Sequence, residues 1–429
     1  MKTPVIRNFA ERHKGRLLSF ADQGMLGLSA FSINILIARY FSDTTFAIVS
    51  VMMGLHYLVF GVHRGVVVLP YILEEGGASG AAAAEAQSAW WTINLVFVGA
   101  IASLLGFAAS ILKVTGLSGP QLTWIVDAVF LLALTTPPLL LFEYARRALY
   151  QGGATSKVAI CSTAYFIAGT VTVSAGVAAG SAILSGLAFA VAGAAGTAVF
   201  IVSKRPSGAR LSTALATWKR QSGFGAWQAM TSIPYNLYAI SPVVLVGAFA
   251  GPTAAAVFGV GRTIASPAFS IVSAVDSMDK PRAVSAMAQA GLKGLHGSIS
   301  RTRKLILALA GGYLVLVILF APWATKAAFG PEYANDVGAI RLVALAFLFL
   351  CLNQPVETML IVLRRVRVMF VIRLVAALAI VGGIFMGANV AGVFGVALAT
   401  AGVQSAVLLT LTLIELRIVK QSRERPGNQ

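Results

Sequence analysis

A single arginine, Arg262, lies in the middle of a long apolar stretch and has polar residues on the same helical face. At 100° per residue, Arg262, Ser266, Ser273, Asp276 and Lys280 fall within about 80° of one another on a helix. A charge at the centre of a bilayer costs at least about 2.5–3.5 kcal/mol to insert, so it faces a cavity or a partner. No carboxylate lies within one turn of Arg262 in the sequence. We therefore expect its guanidinium to line a functional cavity, where its fork of donors suits an anion.

A second apolar stretch has the same kind of face. His56, His63 and Arg64 lie within about 100° of one another, and the two histidines could instead be hydrogen-bonded packing residues. Amides, hydroxyls and one carboxylate inside other stretches complete the set of candidate cavity residues. The set is Arg262, Arg64, His56, His63, Gln23, Asn34, Gln228, Tyr235, Ser266, Asn353 and Glu357.

Other charged residues have a simpler interpretation. Those at the predicted ends of apolar stretches can reach the lipid headgroups with their long side chains. The residues interpreted in this way are Arg39, Glu143, Arg146, Arg147 and Arg364, and Asp22 also lies near a cytoplasmic end. Asp276 and Glu357 could simply neutralise nearby arginines.

The composition excludes a water-soluble protein. Of the 429 residues, 58% are hydrophobic and 11% are charged, and the mean hydropathy is +0.83. Soluble proteins carry roughly 45–50% apolar and about 25% charged residues. These values exclude a soluble enzyme, a disordered chain and a nucleic-acid-binding domain, and they indicate a multi-spanning membrane protein.

About twelve apolar stretches are long enough to cross a bilayer, which takes about 20 helical residues. They cover 17–40, 45–72, 88–112, 122–145, 156–178, 181–203, 223–249, 252–278, 304–325, 338–362, 369–389 and 391–416, and only a Gly-rich turn near Asn389–Gly392 separates the last two. The sequence thus predicts an all-α membrane protein with two pseudo-symmetric six-helix lobes, 1–203 and 223–416. A basic linker, 204–222, joins them, and a tail, 417–429, follows. Duplicated six-helix halves around a central cavity are a common transporter plan.

The basic residues predict the orientation. With the N-terminus inside, 27 of the 33 lysines and arginines fall on inner segments, and four fall on outer loops and the adjoining helix ends. Such a bias is the positive-inside signal. We therefore expect both termini on the cytoplasmic side of a cell membrane. The net charge of +18 then requires no nucleic-acid partner.

The sequence contains no nucleophile, metal-ligand or phosphate-loop motif. Its two cysteines, Cys161 and Cys351, lie in different apolar stretches and have no partner at metal-ligand spacing, so we expect buried thiols. We predict no enzymatic activity, cofactor or metal.

Three short motifs resemble the multidrug/oligosaccharidyl-lipid/polysaccharide (MOP) exporter superfamily, and most closely its polysaccharide flippases of the O-antigen and exopolysaccharide type. The first is ARYFS at Ala38–Ser42, at the exit of the first helix. The second is RRALYQGG at Arg146–Gly153. The third is VGAFAGP at Val246–Pro252, which leads to AVFG at Ala256–Gly259. The family often has an aspartate in the outer half of helix 7, whereas this chain has ISPVVL at Ile240–Leu245.

The resemblance implies a fold like that of MATE transporters. It also implies transport of a polyprenyl-diphosphate-linked oligosaccharide from the inner to the outer leaflet of a bacterial cell membrane. Arg262 would then hold the diphosphate, with Arg64 as a second contact. Residues such as Gln23, Asn34, Gln228, Tyr235 and Asn353 would bind sugar groups. The expected partners are this lipid-linked substrate, membrane lipids, and the polysaccharide polymerase and glycosyltransferases of the same pathway.

Three alternatives differ from this interpretation. A cation-coupled multidrug antiporter of the same superfamily would be expected to use a buried carboxylate that exchanges a proton, and mid-span carboxylates are missing from the sequence. A major-facilitator sugar transporter would have a different loop between helices 2 and 3. A glycosyltransferase, polymerase or ligase acting on the same lipid would need a long outer loop with catalytic side chains, and every predicted outer loop is short.

Overall fold

The computed structural model describes residues 4–75, 81–115 and 123–424, and these fold into twelve helices. The first six begin with α1, Pro4–Tyr40. Helix α2 comprises Asp43–His63, a π-turn at Arg64–Val68 and Leu69–Glu75. Then follow α3 (Ala81–Thr115), α4 (Thr123–Gln151), α5 (Thr155–Ala178) and α6 (Ala182–Gly186 with Ala188–Lys204).

The other six helices come from longer helical runs. Helix α7 comprises Leu211–Tyr235, a π-turn at Asn236–Ile240 and residues 242–250. Two breaks divide the run Pro242–Ile306, so that α8 covers 252–289 and α9 starts at 292 and ends at Ala328. After a 3₁₀ turn at Pro331–Asp336 come α10 (Val337–Val362), α11 (366–390) and α12 (393–424).

Glycines with positive φ separate consecutive helices. Gly251, between α7 and α8, has a φ of 82°, and Gly392, between α11 and α12, has a φ of 54°. Residues with a β-carbon rarely adopt this conformation, which turns the backbone out of the helix. Both breaks lie where the sequence predicted turns between spans.

The helices have the length and the apolar character of membrane spans. Within the described residues, nine helical stretches are long and apolar enough to cross a bilayer, and the longest, Val366–Gln421, covers two helices. The shorter apolar helix Ala188–Lys204 and the bent helix α7 account for the rest of the twelve. The predicted all-α, multi-pass class is therefore confirmed.

The chain divides into two compact units, Met1–Ile233 and Pro234–Gln429. In the first unit, α5 packs against α1 and α6, while α4 packs against α2, α3 and α6. In the second unit, α10 packs against both long runs, Pro242–Ile306 and Val366–Glu424, and so lies at its centre. The predicted lobe boundaries at 203 and 223 stay a prediction.

Candidate functional site

In the second unit, Arg262 lines a small pocket. Half-buried on α8, it shares the pocket wall with the aromatic rings of Phe258 and Phe347 and with the polar side chains of Thr400 and Gln404 on α12. The pocket has room for about one water molecule. It is therefore too small in this state to hold a lipid head group, and its polar wall is formed by one guanidinium, one hydroxyl and one amide.

A second cluster of the same unit joins α7, α10 and α11. Arg373 donates from Nη2 to Glu357 Oε2 at 2.7 Å, and its guanidinium carbon lies 4.5 Å from the centre of the Tyr235 ring. Gln354 donates from Nε2 to the Tyr235 hydroxyl at 3.2 Å. Glu357 therefore neutralises a basic residue, as one interpretation of the sequence had it, and that residue is Arg373.

Two further candidates of this unit have contrasting surroundings. Ser266 donates to the Thr263 carbonyl at 2.9 Å, within its own helix. Asn353 is fully buried, and neither its Oδ1 nor its Nδ2 has a hydrogen-bond partner among the described residues. An unsatisfied buried amide costs about 1–3 kcal/mol.

In the first unit, a buried aspartate joins three helices. Asp22 on α1 accepts hydrogen bonds from Nε and Nη2 of Arg146 on α4 and from Oγ of Ser162 on α5. The Tyr150 hydroxyl and Nε2 of the candidate Gln23 also donate to its carboxylate, at 2.7 and 3.2 Å. Asp22 has no exposed surface, and Arg146 is only 4% exposed.

The interpretation of Glu143 and Arg146 as helix-end residues that reach the lipid headgroups is wrong. Glu143 is buried and accepts from Nη1 of Arg146 at 3.0 Å and from Nε of Arg147 at 2.8 Å. These charged side chains are neutralised inside the protein, because the packing of α1, α4 and α5 brings carboxylates and guanidinium groups into contact. Arg146 also lies 5.7 Å from the centre of the Phe142 ring, which adds a cation–π contact.

Helix α2 buries both of its histidines. His56 Nδ1 lies 3.2 Å from Thr136 Oγ1 of α4, and His63 Nε2 lies 2.7 Å from Asn94 Oδ1 of α3. Arg64, the next residue, is exposed and begins the π-turn. The histidines therefore face helix surfaces, in agreement with the interpretation that they are hydrogen-bonded packing residues.

The remaining candidates of the first unit are half-buried. Asn34 donates to the Ala30 carbonyl of its own helix at 2.7 Å, which uses one of its donors locally. Gln228 lies on α7, where its backbone carbonyl accepts from Thr231 and Ser232. The structure therefore groups Gln23 with Asp22, Tyr235 with Glu357 and Gln354, and leaves Asn34 and Gln228 outside both clusters.

Every buried carboxylate in the described part of the chain has a basic partner. The six ion pairs are Asp22–Arg146, Glu143–Arg147, Asp276–Lys280, Asp279–Arg282, Glu357–Arg373 and Glu415–Arg303. Four of the six partners come from the same helix or from the helix next in sequence. No group of three or more metal-ligating side chains occurs within residues 4–75, 81–115 and 123–424.

Sequence reasoning missed Arg146, Arg373 and Asn94 as site residues. A usable signal existed for Arg373, because Glu357 and Arg373 lie at similar distances from the turn at Arg364, and two antiparallel helices bring such residues level. For Arg146 and Asn94 no local signal was available. Their partners are 124 and 31 residues away, on helices whose packing the sequence does not specify.

Neither a comparison with protein-family models nor one with curated proteins gives a match. Solved structures do match. The lipid II flippase MurJ in an inward closed conformation has a TM-score of 0.72 at 15% identity, over 92% of this chain and 87% of that one. An inward-facing multidrug resistance MATE family transporter of the MOP superfamily has a TM-score of 0.69 at 12% identity, over 92% and 96%. A MATE structure in the bent conformation gives 0.60 at 12% identity, over 96% of both chains.

This chain has the fold of the MATE transporters and of MurJ. TM-scores of 0.60–0.72 over nearly all of its length establish this fold, whereas identities of 12–15% leave the cargo open. A lipid flippase and multidrug transporters share this fold.

Proposed function

We propose that this chain is a flippase for a polyprenyl-diphosphate-linked oligosaccharide, which it moves from the inner to the outer leaflet of a bacterial cell membrane by alternating access. The fold supports a transporter, and the motif resemblance supports the polysaccharide branch. A polysaccharide polymerase would then consume the flipped substrate, and glycosyltransferases of the same pathway would supply it.

The observation that carries the proposal is the placement of Arg262 on the pocket wall together with Thr400 and Gln404. The guanidinium of Arg262 is suited to a diphosphate, because it offers permanently charged, forked donors. Thr400 and Gln404 donate to the backbone carbonyls of Val396 and Tyr238 in this state, so the charge contact comes from Arg262. The pocket is small in this state, so binding requires it to open during the transport cycle. Arg64, exposed on α2, is the second contact that we propose.

The ion pairs count against one form of the alternative, a multidrug antiporter that couples to a cation through a carboxylate. A carboxylate that exchanges a proton or a cation must lose its partner during the cycle. The six buried carboxylates of the described residues are paired with arginine or lysine. Where the basic partner is also largely buried, as in Asp22–Arg146 and Glu357–Arg373, removing it is expensive. The alternative nevertheless shares the fold, so the decisive test compares the two cargoes directly.

The test uses purified full-length protein in proteoliposomes that contain a labelled polyprenyl-diphosphate oligosaccharide. A membrane-impermeant glycosidase reports the sugar that reaches the outer face, and efflux of a cationic dye is measured in parallel. We expect protein-dependent flipping and no dye efflux. Dye efflux without flipping would contradict the proposal and favour the antiporter.

Two variants test the role of Arg262 in the same assay. Arg262→Ala should lower flipping at least about ten-fold, because a desolvated charge contact is lost. Arg262→Lys keeps the positive charge but loses the forked pair of donors. Its flipping rate should lie between those of the wild type and Arg262→Ala. Arg282→Ala, at a largely exposed arginine, is the control and should flip at the wild-type rate.

Protein levels separate binding from stability. If Arg262→Ala inserts and melts like the wild type but flips poorly, the diphosphate role is supported. If it flips at the wild-type rate, Arg262 is not the phosphate ligand. Glu357→Ala is not a substitute for the Arg262 variants. It removes the ion-pair partner of Arg373, so a loss of flipping would not report on Arg262.

A further inference from the structure

A buried polar pair in the first unit has unused hydrogen-bonding capacity. His63 and Asn94 have no exposed surface, and their one contact, 2.7 Å from Nε2 to Oδ1, uses one imidazole nitrogen and one amide atom. Nothing among the described residues hydrogen-bonds to the other two atoms, His63 Nδ1 and Asn94 Nδ2. Buried polar groups are usually satisfied, so this pair has capacity for a small ligand such as a proton or a water.

The register between α2 and α4 places a carboxylate level with this pair. His56 contacts Thr136, and both His63 and Glu143 follow seven residues later on their own helices. Seven residues are two turns, so in helices that run in the same direction His63 and Glu143 reach the same level. A proton on His63 would therefore have an anion nearby.

The other groups that face His63 can be named for each neighbouring helix. On α2 they are His56 and the exposed Arg64. On α4, Glu143 carries Arg146 and Arg147 as its ion-pair partners. On α3, the contacts are the amide of Asn94 and the ring of Phe97, whose centre lies 5.4 Å from that of His63.

The helix changes its geometry directly after this histidine. The π-turn Arg64–Val68 begins at the next residue, and π-turns inside α-helices often occur at functional sites. Gly65, within that turn, lies against the backbone of α7, where an added β-carbon would come within 2.6 Å of Ala229 N. A charge change at His63 would thus act at a bend that contacts a second helix.

We propose that His63 is the proton-binding residue through which this transporter couples to a proton gradient. The inference rests on the proposed function only for the identity of the cargo. A proton from the outer side binds an imidazole nitrogen of His63, which gives an imidazolium beside Glu143, and leaves to the inner side after the cargo has moved outward. Because burying this charge is expensive, protonation favours a state in which α2 admits water at the π-turn.

One experiment needs no substrate. The chain has four histidines, so the variant with His13→Gln and His296→Gln leaves only His56 and His63. Histidine-selective ¹⁵N NMR of this full-length protein in lipid nanodiscs is recorded between pH 5 and 9. We expect one titrating imidazole, and we expect His63→Gln to remove it. The inference is wrong if neither ring titrates, or if the titrating signal survives in His63→Gln.

A second experiment measures coupling in proteoliposomes with an imposed pH gradient and a pH-sensitive dye inside. His63→Gln should lose about ten-fold in gradient-driven flipping while it keeps substrate exchange at equal pH, which needs no net proton movement. His296→Gln, at a half-exposed residue, is the control. Wild-type flipping that ignores the gradient would contradict the coupling and leave the proposed function intact, whereas no flipping at all would contradict the proposed function.

The variant Asn94→Asp covers the case in which His63→Gln fails to fold. A carboxylate in place of the amide should keep the imidazole protonated to higher pH, because it stabilises the imidazolium. The NMR titration should move to higher pH, and gradient-driven flipping should slow since the proton is released with difficulty. A carboxylate beside the imidazole moves its titration to higher pH whatever the role of the pair, so the discriminating result is the slower gradient-driven flipping. Unchanged gradient-driven flipping in Asn94→Asp would contradict the proposal.

Discussion

At the residue scale, the interior of the first unit is organised around charges that satisfy one another. Asp22 accepts from Arg146, Tyr150, Ser162 and Gln23, so its carboxylate is surrounded by donors from three helices. A buried ion pair gives little net stability over a pair of apolar side chains. Removing one partner, however, leaves the other as an uncompensated buried charge. The cluster therefore specifies that α1, α4 and α5 pack together, and it fixes how far each is shifted along the others.

Stability measurements can test this role of the cluster. Arg146→Met should lower the free energy of unfolding by about 3–5 kcal/mol, because Asp22 is left as an uncompensated buried charge. Adding Asp22→Asn should restore part of the loss, since the stranded charge disappears. The measurement is the thermal midpoint of the purified protein in detergent.

The matched control is Arg282→Met, which removes the partner of Asp279 where the arginine side chain is 62% exposed. A change below about 1 kcal/mol is expected for such a pair. If Arg146→Met melts like this control, the buried cluster does not stabilise the helix packing.

At the element scale, small residues allow helices to approach at backbone distance. An added β-carbon on Gly65 of α2 would lie 2.6 Å from Ala229 N of α7, and Gly193 of α6 lies similarly close to the Pro138 backbone of α4. Helix association in membranes depends on such close packing, because lipid provides no hydrophobic driving force between helices. The contacts near Gly65 also fix the π-turn that follows His63.

The close approach at Gly65 makes a prediction about stability. Gly65→Ala should destabilise the protein by about 1–3 kcal/mol, because the new methyl group overlaps backbone atoms that cannot move independently. Gly24→Ala on α1 is the control, since nothing lies within 4 Å of the added carbon. The control should be neutral or more stable by up to about 1 kcal/mol. Equal melting temperatures for the two variants would show that α2 and α7 do not pack so closely in the membrane.

At the scale of the whole molecule, the twelve helices and the distribution of basic residues predict one orientation. The 27 basic residues on one side of the predicted topology predict that both termini lie in the cytoplasm. The described structure includes the helix ends and turns that such a test needs, whereas the tail beyond residue 424 lies outside it.

Cysteine labelling in intact cells tests the orientation. In a background with Cys161→Ala and Cys351→Ala, a membrane-impermeant maleimide should label Thr253→Cys, between α7 and α8. It should not label Ser207→Cys or Gly297→Cys until the cells are opened. All three sites are exposed, and both native thiols are buried and unbonded. Labelling of Ser207→Cys in sealed cells would overturn the predicted topology.

The sequence by itself determined the class of protein, the helices and the turns between them, because these depend on local properties. Hydropathy over about 20 residues decides whether a segment can cross a bilayer, and a glycine such as Gly392 permits the positive φ of a tight turn. The sequence also identified Arg262, because a charge in the middle of an apolar stretch is unusual whichever helices pack around it.

Only the tertiary structure decided which polar residues meet. Asp22 and Arg146 each resemble an ordinary helix-end residue in the sequence, and their pairing exists because α1, α4 and α5 pack together. The same holds for His63 with Asn94 and for Glu357 with Arg373. The physical reason is that insertion into a membrane is governed by each segment's own composition, whereas the cost of a buried charge depends on the partners that other helices bring to it.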